Sequence, residues 1–474
     1  MSELIQTTEM RPGGSGSEKK QGHGNIRSVL ISASIILCQL VQMVPYGAGI
    51  NACFDIAEDI GATPHQATWI VASYPLTQGA FILMGGRVGA ICGHKNTVVA
   101  AGGWWVIFHL ISGFMRNMIS LSVMGALSGI GGAFMMPNAI ALLTITFPPG
   151  KMRNISVGLF GAMAPIGAAG GSVIPGFFGQ LTHWKWLFFF LAILGTLGFA
   201  LFAFIVPGEP EPFDKGGRMD YIGAYFGVAG LILFNFVWNG IWEFKFAKNP
   251  ILPFNIWGAP SFGLMTLSTF LAFMSVGIVL WYMSAWNLTI RDFSLFLNGA
   301  SYATLAVFGT GAAIISAKLV RHLPAQFTLA IGSLSSCAAN ILIATMPARQ
   351  SYWAQVFPAM IFTAFGPDFL FTAAQIIASN TVKRQQQGIA GSLIGTLLSY
   401  GLSTGLGFAG TVEAYTNRHG QDLVRGYRHG LYLGIGFAAC AVLLALFFVR
   451  IPRERKEGWG EEDEEDGGHV LSTV

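Results

Sequence analysis

Apolar residues gather in thirteen long runs separated by short polar stretches. The runs lie at about residues 29–53, 67–86, 97–115, 119–147, 155–180, 186–207, 221–242, 261–286, 300–318, 326–346, 352–382, 389–412 and 430–449. Each is long enough to cross a hydrocarbon layer of about 30 Å as a helix. A segment surrounded by lipid has no water to satisfy its backbone, so it must form a helix or join a closed barrel; runs of this length predict helices. The expected fold class is an all-α polytopic membrane protein with about thirteen apolar spans. Away from the ends of the runs, the side chains that ionise readily are His109 and Asp368. Function must therefore rest on few polar groups.

Loop charges set the expected orientation, because lysine and arginine favour the cytoplasmic side. Lys19, Lys20 and Arg27 precede the first run, while Asp55, Glu58 and Asp59 follow it. Arg87 with Lys95, Lys151 with Arg153, and the 208–220 linker fall on the cytoplasmic side by alternation. Lys318 with Arg321, Lys383 with Arg384, and the basic stretch from Arg450 to Lys456 also favour the cytoplasm. Asn287-Leu288-Thr289 falls on the opposite side and is a candidate glycosylation acceptor. An odd number of crossings conflicts with two cytoplasmic ends. Either a helix is missing, or 221–242 lies at the surface or re-enters. Without that run, twelve spans form a six-plus-six arrangement.

The expected organisation is then a disordered cytoplasmic N-terminus (1–26), a six-helix half (27–207), a linker with one extra apolar segment (208–260), a second six-helix half (261–450) and an acidic cytoplasmic tail (451–474). The polar first residues carry no apolar leader, so the first span is expected to act as the targeting signal.

Composition narrows the function. Hydrophobic residues make up 53% and charged residues 11%, against about 25% charged in soluble domains. The net charge of +4 is spread over short loops, so no nucleic-acid surface is expected. The five cysteines, Cys38, Cys53, Cys92, Cys337 and Cys440, show no metal or disulfide spacing and read as packing residues. No catalytic constellation or phosphate loop is visible; the expectation is a non-enzyme without metal, cofactor or ATP coupling. The expected partners are a small-molecule substrate and the bilayer, with the chain a monomer.

Polar residues inside the runs are the candidate chemistry. Gln39, Gln42 and Tyr46 share one helical face; Tyr74 and Gln78 are a turn apart in the second run. With Asn138, Trp281 and Tyr282 they are candidates to line a substrate cavity near mid-membrane. The plainer reading is interhelical hydrogen bonding. Asp368 follows Pro367 in the middle of its run. It is the proton-coupling candidate, because a buried acid must be neutral, paired or facing water; the plainer reading is an acid that ties helices together. His109 reads as a packing residue.

Several motifs resemble the major facilitator superfamily. The loop Gly86-Arg87-Val88-Gly89-Ala90-Ile91-Cys92-Gly93-His94-Lys95 resembles its signature loop. The resemblance implies gating roles for Gly86, Arg87, Gly89, Gly93 and Lys95. The fifth run, with Gly161, Pro165, Gly167, Gly170 and Gly171, resembles the Gly/Pro motif of its antiporters. His183-Trp184-Lys185-Trp186 resembles the entry to its sixth span. Gln387-Gly388-Ile389-Ala390-Gly391 and Gly407 to Glu413 look like loops and the penultimate helix of its fungal fourteen-span drug:proton antiporters. The resemblance implies a six-plus-six bundle with two linking helices, of which 221–242 is the first and the second is absent, through a truncated gene model or splice variant. It also implies proton-coupled export of small amphipathic molecules by alternating access, at the plasma membrane or the vacuole. The chain departs from the family where charged residues are usual: Val44 in span one, Ala90 in the loop, and Gly125 with Ser128 in span four. That departure supports the alternative of a transport-incompetent sensor or regulator.

Overall fold

The computed structural model describes residues 17–147, 151–208, 262–319, 322–381, 387–418 and 420–449. The apolar run 221–242, most of the 208–260 linker, the acidic tail and the loop around Lys383 lie outside the described residues.

The described elements are helices: α1 (Ser17–Asp59), α2 (Pro64–Cys92), α3 (His94–Ser112), α4 (Met118–Thr146), α5 (Lys151–Leu181), α6 (Lys185–Ile205), α7 (Phe262–Thr289), α8 (Leu295–Ser301), α9 (Ala303–Leu319), α10 (Ala325–Thr345), α11 (Val356–Thr381), α12 (Gln387–Thr416) and α13 (Leu423–Leu443), followed by a π-helical turn, Leu444–Phe448. Twelve of the thirteen apolar runs fall on them. α1 begins at Ser17, ahead of the start expected for the first half. Ten described segments are long and apolar enough to cross a membrane, with α8 and α9 together forming one. α2 and α3 are not among the ten, and both pack against α4 within the bundle. Large apolar side chains point outward from the helices: Ile119, Leu181, Phe204 and Val307 are exposed. In a lipid solvent such a surface is favourable, each residue of this type contributing about −0.3 to −0.6 kcal/mol at the helix centre.

The helix ends follow from local chemistry. Thr63 and Gln66 form a reciprocal capping box at the start of α2. Asn117 Oδ1 accepts from Ser120 N at 2.8 Å before α4, and Asp422 Oδ1 from Arg425 N at 3.0 Å before α13. Each cap satisfies an amide that would otherwise lack an intrahelical partner. Gly93, at φ +90°, turns the chain from α2 into α3, a conformation that costs glycine little. Pro45, Pro75, Pro137, Pro165, Pro175 and Pro367 lie inside helices; neighbouring helices make this tolerable in a membrane bundle.

α1–α6 pack chiefly on one another, and α7–α13 do the same. The two groups meet along α2 with α12 and along α5 with α8 and α9. One apolar core lies within the first group, around Trp105, Leu142 and Phe202. A second lies within the later group, around Phe273, Leu329 and Leu370. A third joins both groups and contains Ile50, Cys53 and Val71 together with Trp281, Trp286 and Tyr427. It lies at the end of the bundle that carries Asp55 and Asp59, called the outer end below after the charge pattern.

Three expectations are corrected. The span expected at 300–318 begins at Leu295 and breaks at Tyr302, whose hydroxyl donates to Leu280 O at 2.8 Å and anchors the break. The run expected to end at Val412 continues as helix to Thr416 and carries Glu413 inside it. Asp368 is therefore not the lone acid within a span. Asn287 is no glycosylation acceptor: it is fully buried inside α7, and its amide donates to Asn298 Oδ1 at 3.1 Å.

Candidate functional site

The structure distributes the expected cavity residues over three places. The first is a cluster on α1, α2 and α3. Gln39 and Gln42, a turn apart on α1, hydrogen-bond to each other. Tyr46 donates to Gln78 Oε1 on α2. Tyr74 donates to the Gln42 carbonyl at 3.3 Å and receives the Trp105 indole N–H at 3.2 Å. The Tyr46 and Tyr74 rings meet edge to face at 5.2 Å. Gln42 Oε1, Gln78 Nε2 and Ser73 Oγ are buried and have no hydrogen-bond partner among the described residues. An unpaired buried polar group costs about 1–3 kcal/mol, so this cluster holds one acceptor and one amide donor that a ligand can satisfy. Ser399 Oγ on α12 reaches Gln78 Oε1 at 3.3 Å and Ser403 Oγ reaches Ala72 O at 3.0 Å. The cluster thus touches the opposite half.

Asn138 lies elsewhere. Its amide donates to Gly85 O at 2.8 Å and Phe134 O at 2.6 Å, and its Oδ1 is 2.6 Å from His94 Nδ1. It clasps the α2–α3 turn rather than facing the glutamine cluster. A Cβ on Gly89 would overlap Asn138 Oδ1, and one on Gly86 would stand 2.7 Å from Ser392 Oγ of α12. The signature-loop glycines are therefore points of close approach. Arg87 and Lys95 flank this turn, and Gly93 supplies its positive φ.

Trp281 and Tyr282 form the third place, at the outer end. The Trp281 ring packs on Phe54 at 5.3 Å. Tyr282 donates to Glu413 Oε2 at 2.8 Å and packs on Tyr427 at 5.4 Å. Hydropathy alone leaves Glu413 out, because the apolar run stops one residue before it, while the motif resemblance puts it on the penultimate helix; neither marks it as a partner of Tyr282.

Asp368 occupies the middle of α11 and is partly exposed. Among the described residues its carboxylate accepts no hydrogen bond, so none of them ties it to a neighbouring helix. A Cβ on Gly309 of α9 would stand 2.7 Å from Pro165 Cβ and 3.6 Å from Asp368 Oδ2. Pro165 of α5, Gly309 and Asp368 therefore converge where the two halves meet. Of the other motif residues on α5, Gly167 and Gly171 lie against α1: a Cβ on Gly167 would be 2.7 Å from Leu40 O, and one on Gly171 would overlap Val44 O. Gly161 and Gly170 face open space, so they do not serve close packing. His109 is buried, with Nδ1 2.9 Å from Trp105 O and its ring 3.8 Å from the Trp105 ring; it is a packing residue, as expected.

At the outer end an amide network links the halves. Asn298 of α8 donates to Asn51 Oδ1 and Ser284 Oγ at 2.8 and 2.7 Å, and accepts from Asn287. Asn51 donates to Ser172 O at 2.5 Å and to Leu295 O at 2.8 Å. No sequence pattern marks Asn51 or Asn298.

Two helix groups that meet along α2 with α12 and along α5 with α8 and α9, with buried polar clusters at their seam, define a membrane transporter of the two-half type. Residues 35–407 match the profile of the Major Facilitator Superfamily, and the chain belongs to that family. It is 33% identical over 455 residues to the low affinity ammonium transporter of Saccharomyces cerevisiae, covering 87% of each chain. It is 31% identical to the efflux pump terJ of Aspergillus terreus, covering 91% of each. The fold is similar to that of the human organic anion transporter MFSD10, with a TM-score of 0.65 at 12% identity, over 88% of this chain and 99% of the other. The protein is a multi-pass membrane transport protein and not an enzyme.

Proposed function

We propose that this protein exports small amphipathic organic molecules in exchange for protons, by alternating access between its two halves. The observation that carries the proposal is the convergence of Asp368 with Pro165 and Gly309 where the halves meet, together with a neutral donor–acceptor cluster in the opposite half. An acid without a hydrogen-bond partner, partly exposed inside a span, can take up and release a proton as its surroundings change between states. The unpaired Gln42 Oε1 and Gln78 Nε2 suit a substrate that carries both a donor and an acceptor, and the Tyr46, Tyr74 and Trp105 rings suit its apolar part. A relative named for efflux supports an organic substrate, whereas one named for ammonium transport points to a small cation. The unpaired Gln78 Nε2 favours the organic class, because a small cation has no acceptor to offer that donor.

A second reading, a transport-incompetent sensor, draws on one observation. Gly125 and Ser128 put no charge in the middle of α4, and the nearest atom to a Cβ on Gly125 is the Ser73 hydroxyl, at 2.7 Å. Purified protein in proteoliposomes separates the readings. Under the transport reading, an imposed pH gradient drives accumulation of a fluorescent amphipathic dye. Dye binding without accumulation at any gradient would favour the sensor.

A further inference from the structure

Two arginines from different elements converge at the outer end without a counter-ion among the described residues. Arg291, in the loop after α7, donates through Nη1 to Asn287 Oδ1 at 3.3 Å and through Nη2 to Met346 Sδ at 3.5 Å. Arg428, on α13, donates through Nη2 to Met346 O at 3.0 Å, and its guanidinium lies 5.9 Å from the centre of the Trp286 ring. Both side chains thus reach the same residue, Met346, which caps α10. In both, Nε is buried and has no hydrogen-bond partner among the described residues. Neither forms an ion pair with a described residue. The acids nearby in sequence or packing are otherwise placed: Glu413 Oε2 accepts from Tyr282, Asp422 Oδ1 caps α13, and Asp292 is exposed.

This arrangement is costly as it stands. Arginine keeps its charge under all ordinary conditions, and desolvation of Arg291 disfavours that charge, holding its pKa below the usual value. A neutral sulfur or carbonyl returns little of the hydration that the charge gives up. The orphaned Nε matters geometrically. An arginine grips an oxyanion in two-point fashion through paired N–H groups such as Nε–H with one Nη–H, and on both residues Nε–H is unclaimed.

We propose that Arg291 and Arg428 form an oxyanion-binding site at the outer end of the second half, one that takes a phosphate group. The group is either the headgroup of an anionic lipid or a soluble anion; the chemistry of the site is the same for both. Small rotations of the two flexible stems present the free Nε–H edges to it, while Trp286 and Asn287 fix the floor. Trp286 is itself pinned by its indole N–H on Ala348 O at 3.2 Å. The site is separate from Asp368 and from the glutamine cluster, and does not depend on the transport reading.

The test uses the full chain in nanodiscs of phosphatidylcholine, with thermal unfolding as the readout. One arm replaces part of the lipid with phosphatidic acid; the other adds inorganic phosphate against sodium chloride at equal ionic strength. We expect one arm to raise Tm in a saturable way, and the responding arm identifies the source. Arg291→Gln and Arg428→Gln should each weaken the apparent affinity roughly tenfold, the loss of one charge-assisted hydrogen-bonded pair. The double Lys variant keeps the charge and loses the two-point grip, so it should bind more weakly than the native chain but better than either Gln variant; it also serves if the Gln variants fail to fold. No saturable stabilisation in either arm, or equal stabilisation of the native and the variant chains, overturns the site.

Discussion

In the N-terminal half the cluster near the seam is built from neutral groups, chiefly the amides and phenols of Gln39, Gln42, Tyr46, Tyr74 and Gln78; the helices of the C-terminal half carry two carboxylates, Asp368 and Glu413. The difference is one of response. A buried amide or phenol stays neutral across the physiological pH range, so its interactions do not change with proton concentration. A carboxylate in the same surroundings pays a large penalty only when charged and unpaired. On the proposed reading, the first half recognises substrate regardless of pH and the second supplies the dependence on pH. The two carboxylates differ as well: Glu413 is held by Tyr282, whereas Asp368 has no hydrogen bond among the described residues.

The sharpest way to break this comparison is Asp368→Asn. The change is nearly isosteric, so folding should survive, while pH-gradient-driven efflux in inverted vesicles should be abolished. Efflux that still follows the gradient would end the assignment. A smaller loss is expected from Gly309→Val. The new side chain would press on Pro165, and overpacking of this kind costs about 1–3 kcal/mol. It should appear as a lower Tm together with slower transport. An unchanged Tm would show that α5 and α9 are not so closely seated.

Gln78→Leu tests the neutral half. It removes the acceptor used by Tyr46 and Ser399 and the amide donor offered to substrate. KM should rise roughly tenfold while the pH profile keeps its shape. A profile that moves with KM would dissolve the division between the halves. The smallest effect is expected for Tyr282→Phe, which deletes one interhelical hydrogen bond, worth about 0.6 kcal/mol on average in membrane bundles. A modest fall in Tm with transport retained would place Glu413 on the structural side of the comparison; loss of transport with Tm intact would move it to the functional side.

What the sequence reveals follows from which signals are local. Helix positions are legible because each run reports its own solvent, and Gly93 because a Gly-rich turn between runs is a local event. Asp368 stands out because an acid in an apolar run is conspicuous. Glu413 does not, because hydropathy ends a run at the first charge, although the helix continues through it. Asn138 reads as a cavity residue from its own run because its partners, Gly85 and His94, come from other segments. Asn51 and Asn298 are 247 positions apart, and no periodicity links residues at such a distance. The break at Tyr302 depends on a carbonyl of α7, which is equally invisible from within its own run.

That asparagine network has a consequence for sealing. Three of its hydrogen bonds cross between the halves: Asn51 to Leu295 O, Asn298 to Asn51, and Ser284 to Ile50 O. Asn298 sits between Asn51 and Asn287, and each of those asparagines comes five residues after a tyrosine in its own helix, Tyr46 or Tyr282. Because Asn298 is bonded to both, neither side can let go without stranding an amide in a dry core, so the fastening releases as a unit. None of its members titrates. A barrier fastened by such groups resists leakage equally in acidic and neutral surroundings, which leaves proton-dependent control to act deeper in the protein rather than at its outer rim.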